Sequence, residues 1–145
     1  MATVNPYLLF SGKCEEAFNY YKSIFGGEFT YIGRYKDMPP QEGNQISDED
    51  GEKIMHISLP LSGGTILMGS DSGAEWANPT IGNNISLSIN TTSKEEAYKC
   101  FNGLSAGGNV KMPMDNTFWG DYFGMCKDKF GVDWMISFNE KANQG

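Results

Sequence analysis

The sequence predicts an α+β fold of two tandem βαβββ modules, with curved mixed sheets around a shared cleft. An internal repeat carries most of this prediction. Glu15-Glu16-Ala17 followed by Gly26-Gly27 returns as Glu95-Glu96-Ala97 followed by Gly107-Gly108, at offsets of 80 and 81 residues. The run Gly64-Thr65-Ile66-Leu67-Met68 is echoed by Gly131-Val132-Asp133-Trp134-Met135. The second observation is apolar periodicity, which steps by three and four after each acidic pair and by two elsewhere. Each half then reads strand, helix and three strands. One such unit is too small to cover both sides of its own sheet, so the two halves are expected to pair. The expected divisions are 1–71 for the first module, 72–82 for a connector, 83–139 for the second module and 140–145 for a tail.

Taken in order, residues 4–10 (VNPYLLF) form a short apolar strand that Ser11-Gly12 breaks. The next stretch is a helix with Ala17, Phe18, Tyr21 and Phe25 on one face, acidic residues in its first turn and Gly26-Gly27 as its stop. Residues 29–35 alternate as a strand. A long polar loop follows over 36–51, and a loop of that length is either a binding lid or solvated surface. Residues 53–59 and 65–70 read as a hairpin around Pro60 and Gly64. In 84–90 (NISLSIN) the alternation is strict, with Ile85, Leu87 and Ile89 on one face and Asn84, Ser86, Ser88 and Asn90 on the other. Ser93 and Glu96 have capping-box spacing and open a helix with Ala97, Tyr98, Phe101 and Leu104 on its apolar side. Residues 109–114 are the next strand. The aromatic stretch 117–139 supplies two more, joined by Asp128-Lys129-Phe130-Gly131, with Gly131 where the turn needs a permissive backbone.

Composition narrows the function classes. The 145 residues are 39% hydrophobic and 13% aromatic, enough for a sizeable core, and carry a net charge of −7. No basic footprint for a phosphate backbone is present, so nucleic acid is not an expected partner. No segment approaches the roughly 18 apolar residues of a membrane span, and the N-terminus lacks the pattern of a signal peptide. Cys14, Cys100 and Cys126 match no metal framework and read as free thiols in a reducing, cytoplasmic setting.

With YLLFSGKCEEAFNYYKSIFGGEF, IMHISLPL, ILMGSD and WGDYFGMCKDKFGVDWMISF, the chain resembles the vicinal oxygen chelate superfamily, and within it the PhnB-like, glyoxalase-related group. The resemblance covers residues 4–139. That group has also carried a methyltransferase label, yet no glycine-rich loop follows a strand here to support methyl transfer. The resemblance implies a divalent metal held by His and Glu from the first and last strand of each half. Those places fall at Pro6, Met68, Asn84 and Met135. Proline offers no donor, a thioether is ill-matched to hard cations, and Asn84 alone offers an oxygen. The metal chemistry is therefore expected to be lost, with no cofactor in its place. Homodimerisation is common in the superfamily and is expected here.

Alternation also nominates cleft residues. In 54–59 the apolar set Met55, Ile57 and Leu59 faces a helix, which sends Ile54, His56 and Ser58 to the concave side. His56 is then the candidate acid, base or hydrogen-bond donor, although a lone strand histidine is often structural. Asn84, Ser86 and Ser88 line the other half, either for a ligand or for a solvated cleft. Leu8, Phe10, Met68 and Met135 make an apolar pocket floor or a packed core. Trp119 and Tyr122, with Phe123, offer stacking surface beside Gly120, and core packing is the competing explanation. Trp134 alternates away from Met135, towards a helix, and Asp133 is expected at the cleft mouth. The expected function is metal-independent binding of an amphipathic or aromatic small molecule. The alternative is a lyase or isomerase using a metal at shifted ligands or His56 as acid–base.

Overall fold

The computed structural model describes residues 2–39, 47–72 and 79–140. The chain divides into two units, Met1–Thr80 and Ile81–Gly145. In the first, β1 (Tyr7–Phe10), α1 (Cys14–Phe25) and β2 (Tyr31–Arg34) lead into a 3-10 turn (Tyr35–Asp37) and a short helix α2 (Asp48–Gly51). Strands β3 (Ile54–Pro60) and β4 (Ile66–Asp71) complete it. The second unit runs β5 (Leu87–Thr91), α3 (Lys94–Ser105), β6 (Asn109–Asn116), β7 (Tyr122–Lys127) and β8 (Asp133–Phe138). The centres of the expected loop (40–46), connector (73–78) and tail (141–145) lie outside the described residues.

Both sheets have four strands in the same spatial order, β1-β4-β3-β2 and β5-β8-β7-β6. In each the first strand pairs parallel with the last, and the other pairings are antiparallel. The sheets are thus mixed, and the fold is α+β with two βαβββ modules. Several expected strands are shorter or longer than the sequence suggests, and the one expected over 29–35 is only Tyr31–Arg34. The first strand begins at Tyr7, β5 at Leu87, and β6 extends to Asn116.

Each helix covers one face of its own sheet. On α1, Cys14, Ala17, Phe18 and Tyr21 are buried over Ile57, Leu59 and Leu67. Its N-terminus is satisfied from a distance. Lys13 supplies no side-chain cap, and Asp71 at the end of β4 does so instead. Its Oδ1 accepts the Cys14 N–H at 3.0 Å and its Oδ2 accepts the Ile54 N–H at 2.9 Å. A buried carboxylate at a helix N-terminus also meets the positive end of the helix dipole. Helix α3 is capped locally by Ser93, as predicted, while Glu96 reaches back to Thr92 rather than to the Ser93 N–H. Ser93 Oγ accepts the Glu96 N–H at 3.0 Å, and Glu96 Oε1 accepts the Thr92 N–H at 3.2 Å.

The turn at 128–131 is organised by a buried aspartate. Asp128 Oδ1 accepts the N–H groups of Phe130 and Val132, at 2.8 and 3.1 Å, and Oδ2 accepts Trp134 Nε1–H at 2.8 Å. Trp134 is buried on the helix side, as its alternation predicts, and Gly131 takes φ 94°. One parity expectation is corrected. Ile54 is fully buried, whereas Met55 is only half-buried. The pairing steps from Gly33↔His56 to Arg34↔Ile54, so Met55 is the extra residue of a β-bulge that reverses the alternation behind it.

Candidate functional site

The face of the first sheet opposite α1 carries the chain's single histidine and its polar partners. Cross-strand pairing sets Tyr7, Met68, Ser58 and Tyr31 in one row across all four strands. His56 shares this face beside Gly33. The Tyr31 ring folds back over Gly33, and a Cβ at that glycine would sit 2.7 Å from the Tyr31 hydroxyl. His56 therefore lies between two tyrosines, with ring centroids 5.6 Å from Tyr7 and 5.7 Å from Tyr31.

Both imidazole nitrogens are engaged. Nδ1 is 3.2 Å from the Tyr7 hydroxyl, and Nε2 is 3.0 Å from Ser58 Oγ. A neutral imidazole has one donor and one acceptor nitrogen, while a hydroxyl can play either part, so either tautomer completes the Ser58–His56–Tyr7 chain. Tyr7 and Tyr31 are each close to half exposed, and Leu9 on the same face is 51% exposed. The edge strand that carries Tyr31 is held by Arg34. Its Nη1 and Nη2 donate to Glu15 at 3.2 and 2.6 Å, and Nη1 also donates to the Glu52 carbonyl at 2.8 Å. The paired Arg34 guanidinium holds the Glu15 carboxyl below the usual range.

The corresponding face of the second sheet is thioether-rich. Pairing sets Ser88, Met135, Met125 and Met112 in one row. Asp133 lies on this face but is buried, with Lys111 Nζ at 2.8 Å and Lys127 Nζ at 3.4 Å. Two ammonium groups already neutralise it, which corrects its expected place at a cleft mouth. Trp119 meets Phe123 edge-on at 5.9 Å, and its Nε1–H donates to Asp121 Oδ2 at 2.9 Å. Beyond it Phe118 is 97% exposed.

The residues nominated from sequence are thus divided. His56 and Met68 come together on the first sheet, with Ser58. Met135 lies on the second sheet, and Trp119 flanks its edge. Phe10 is on the helix side, edge-on to Phe18 at 6.3 Å, and Leu8 shares its parity beside Gly69. Tyr122 also faces the helix side, under the Lys94 ammonium. Asn84 and Ser86 precede β5, the first exposed and the second half-buried. Sequence reasoning passed over Tyr7 and Tyr31. The available signal was parity, because Tyr31 and Gly33 alternate together and Tyr7 is out of phase with Leu8 and Phe10.

The positions where the superfamily places metal ligands do not fit a hard divalent cation. Met68 and Met135 offer thioethers, Asn84 is a single amide, and the Pro6 carbonyl accepts the Met68 N–H at 3.1 Å. Among the described residues, no group of three or more His, Cys, Asp or Glu side chains could hold a metal ion. The thiols are not activated either. Burial, with Asp71 nearby, pushes Cys14 far up, and burial with Asp128 and Asp133 pushes Cys126 up to about 11.

Two mixed sheets of identical order, each built from one βαβββ module, define the class as the glyoxalase-like fold. Solved glyoxalase/bleomycin resistance/dioxygenase proteins share this fold at 13% identity, with TM-scores of 0.61 and 0.62. Within that class, residues 2–137 match the family model described as 3-demethylubiquinone-9 3-methyltransferase, and the chain belongs to that PhnB-like family. Protein YjdN of Escherichia coli is 32% identical over 143 residues, which span 92% of this chain and 93% of the relative. The crystal structure of PA1353 from Pseudomonas aeruginosa is 37% identical, covers 96% of this chain and 98% of its own, and superposes with a TM-score of 0.84. A Bacillus cereus structure, described as a putative 3-demethylubiquinone-9 3-methyltransferase and PhnB protein, is 29% identical with a TM-score of 0.76. It covers 94% of this chain and 99% of its own.

Proposed function

We propose that this chain is a metal-independent small-molecule-binding protein, taking an aromatic or amphipathic ligand on the Tyr7–His56–Tyr31 face of its first sheet. The observation that carries this reading is the pair of half-exposed tyrosines flanking a doubly hydrogen-bonded histidine over Gly33. Leaving this much aromatic surface in water is unfavourable. A flat ligand covers it and gains about 0.5–1.5 kcal/mol per aromatic contact beyond burial. Met68 beside the cluster adapts to ligands of different outline. The family's descriptive name specifies methyl transfer. The present sheets are mixed four-stranded βαβββ units without the glycine-rich first turn of a doubly wound nucleotide fold, which favours binding over that activity. Three buried, free cysteines agree with a cytoplasmic location.

His56 is the single histidine of the chain, so its ring gives one resolvable NMR signal and an internal reporter. Titration with a panel of aromatic amphiphiles is expected to move that signal saturably. Tyr7→Ala and Tyr31→Ala should each weaken binding by about three- to tenfold. A panel that leaves the His56 signal unmoved overturns the reading. Stoichiometric Zn, Ni, Mn or Fe in protein purified without chelator overturns its metal-independent part.

A further inference from the structure

Helices α1 and α3 have equal length and lie 80 residues apart, yet they treat one matching pair of aromatics in opposite ways. Phe18 is fully buried, whereas its counterpart Tyr98 is 55% exposed. The cause lies in the sheets beneath. In the first unit the paired residues are Ile57 and Gly69, and the Phe18 ring occupies the space that Gly69 leaves open. In the second unit the pair is reversed, Gly124 opposite Ile136. The buried Ile136 takes the place corresponding to Gly69, and Met114 of β6 fills the gap at Gly124. Tyr98 is left without a socket.

Outside, Tyr98 lines an open groove with Lys94, Glu95, Lys99, Asn102 and Tyr122. Tyr122 contributes its ring from the start of β7, and Lys94 Nζ lies 5.0 Å from the ring centroid. Among the described residues, neither Lys94 nor Lys99 pairs with a carboxylate. On a chain of net charge −7, this groove sets two ammonium groups against the one carboxylate of Glu95.

We propose that the groove is a binding site for a small planar aromatic anion, of the aryl carboxylate class. The two tyrosines give flat apolar surface, the two lysines neutralise the charge, and the Asn102 amide can donate to a carboxylate oxygen. A neutral aromatic leaves both ammonium groups without a counter-charge, and a non-aromatic anion leaves the Tyr98 ring in water. This site shares no residue with the Tyr7–His56–Tyr31 face and does not depend on it.

The test is a titration of the 15N-labelled full chain with 2-naphthoate, with neutral 2-naphthamide as the control. Saturable shifts are expected at the amides of residues 94–102 and Tyr122. Binding should weaken about tenfold in K94Q/K99Q and about three- to tenfold in Tyr98→Ala. The amide should bind wild type no better than 2-naphthoate binds K94Q/K99Q. These three side chains are exposed, so the variants keep the fold, which unchanged amide shifts of β5 and β8 in the free proteins check. No saturable shift on α3, equal affinity for the amide, or insensitivity to both variants overturns the proposal. Shifts confined to the first sheet overturn it as well, while leaving the reading of that sheet intact.

Discussion

Gly69→Ala is the sharpest perturbation that the packing of the first unit offers. A Cβ at Gly69 would lie 2.6 Å from Phe18 Cε1, 2.9 Å from Phe18 Cζ and 2.8 Å from the Leu8 carbonyl oxygen. Overpacking of this kind costs about 1–3 kcal/mol. The upper end applies here, because the Leu8 carbonyl belongs to the parallel β1–β4 ladder and cannot withdraw without breaking it. About 3 kcal/mol corresponds to a melting temperature roughly 6–12 °C lower for a chain of this size. Phe18→Leu alone should cost about 1–2 kcal/mol through lost burial. If the Phe18 ring is the main obstacle, the double variant should be more stable than the sum of the singles by about 1–2 kcal/mol. The remainder reflects Leu8, which no side-chain change relieves. Chemical denaturation followed by far-UV circular dichroism measures all four corners of the cycle. A Gly69→Ala loss below about 0.5 kcal/mol, or strictly additive singles, refutes the packing argument.

Two further predictions follow from buried polar groups. Asp71→Ala strands the Cys14 and Ile54 N–H groups and should cost about 3–5 kcal/mol, since each bond to a charged acceptor contributes about 1.5–3 kcal/mol; a loss under 1 kcal/mol in urea denaturation contradicts this. The raised Cys126 thiol makes stability fall with pH, because above about 9 the unfolded chain releases a proton that the folded chain keeps until about 11. Stability measured at pH 8, 9.5 and 11 should decline, and Cys126→Ala should make the decline shallower, with the still more strongly raised Cys14 carrying the rest; a wild-type curve with no fall over this range counts against the buried thiols.

Much of the fold was legible because the repeat recorded it twice. The acidic pairs and glycine stops located both helices, Ser93 and Glu96 announced their cap, and alternation placed Trp134. The site was less legible, for reasons that are physical. Ile54 and Met55 exchanged faces because a bulge is a property of pairing, which alternation within one strand does not reveal. Asp133 looked available as a ligand-facing acid, yet Lys127 reaches it from the adjacent β7 and Lys111 from β6 beyond. Tyr98 belonged by spacing to the apolar side of its helix. What excludes it is Ile136, a residue of another element. Phe10 was open between pocket floor and packed core, and it packs edge-on against Phe18 of α1. In each case the deciding partner lies on another element.

The spatial order of the strands also bears on how the protein is synthesised. Within its own sheet β1 has a single neighbour, β4, and α1 receives its N-terminal carboxylate from the last residue of that strand. Helix α1 is complete at Phe25, about 46 residues before Asp71 is added. At roughly 5–20 residues per second, the ribosome leaves β1 unpaired and α1 uncapped for roughly 2–9 s. A 12-residue helix is marginal by itself, so the nascent first half holds no lasting structure until its final strand emerges. The second half repeats the arrangement, with β5 waiting for β8. Each half is therefore completed from its C-terminal end, and a chain cut short inside β4 or β8 forfeits the strand that was made first.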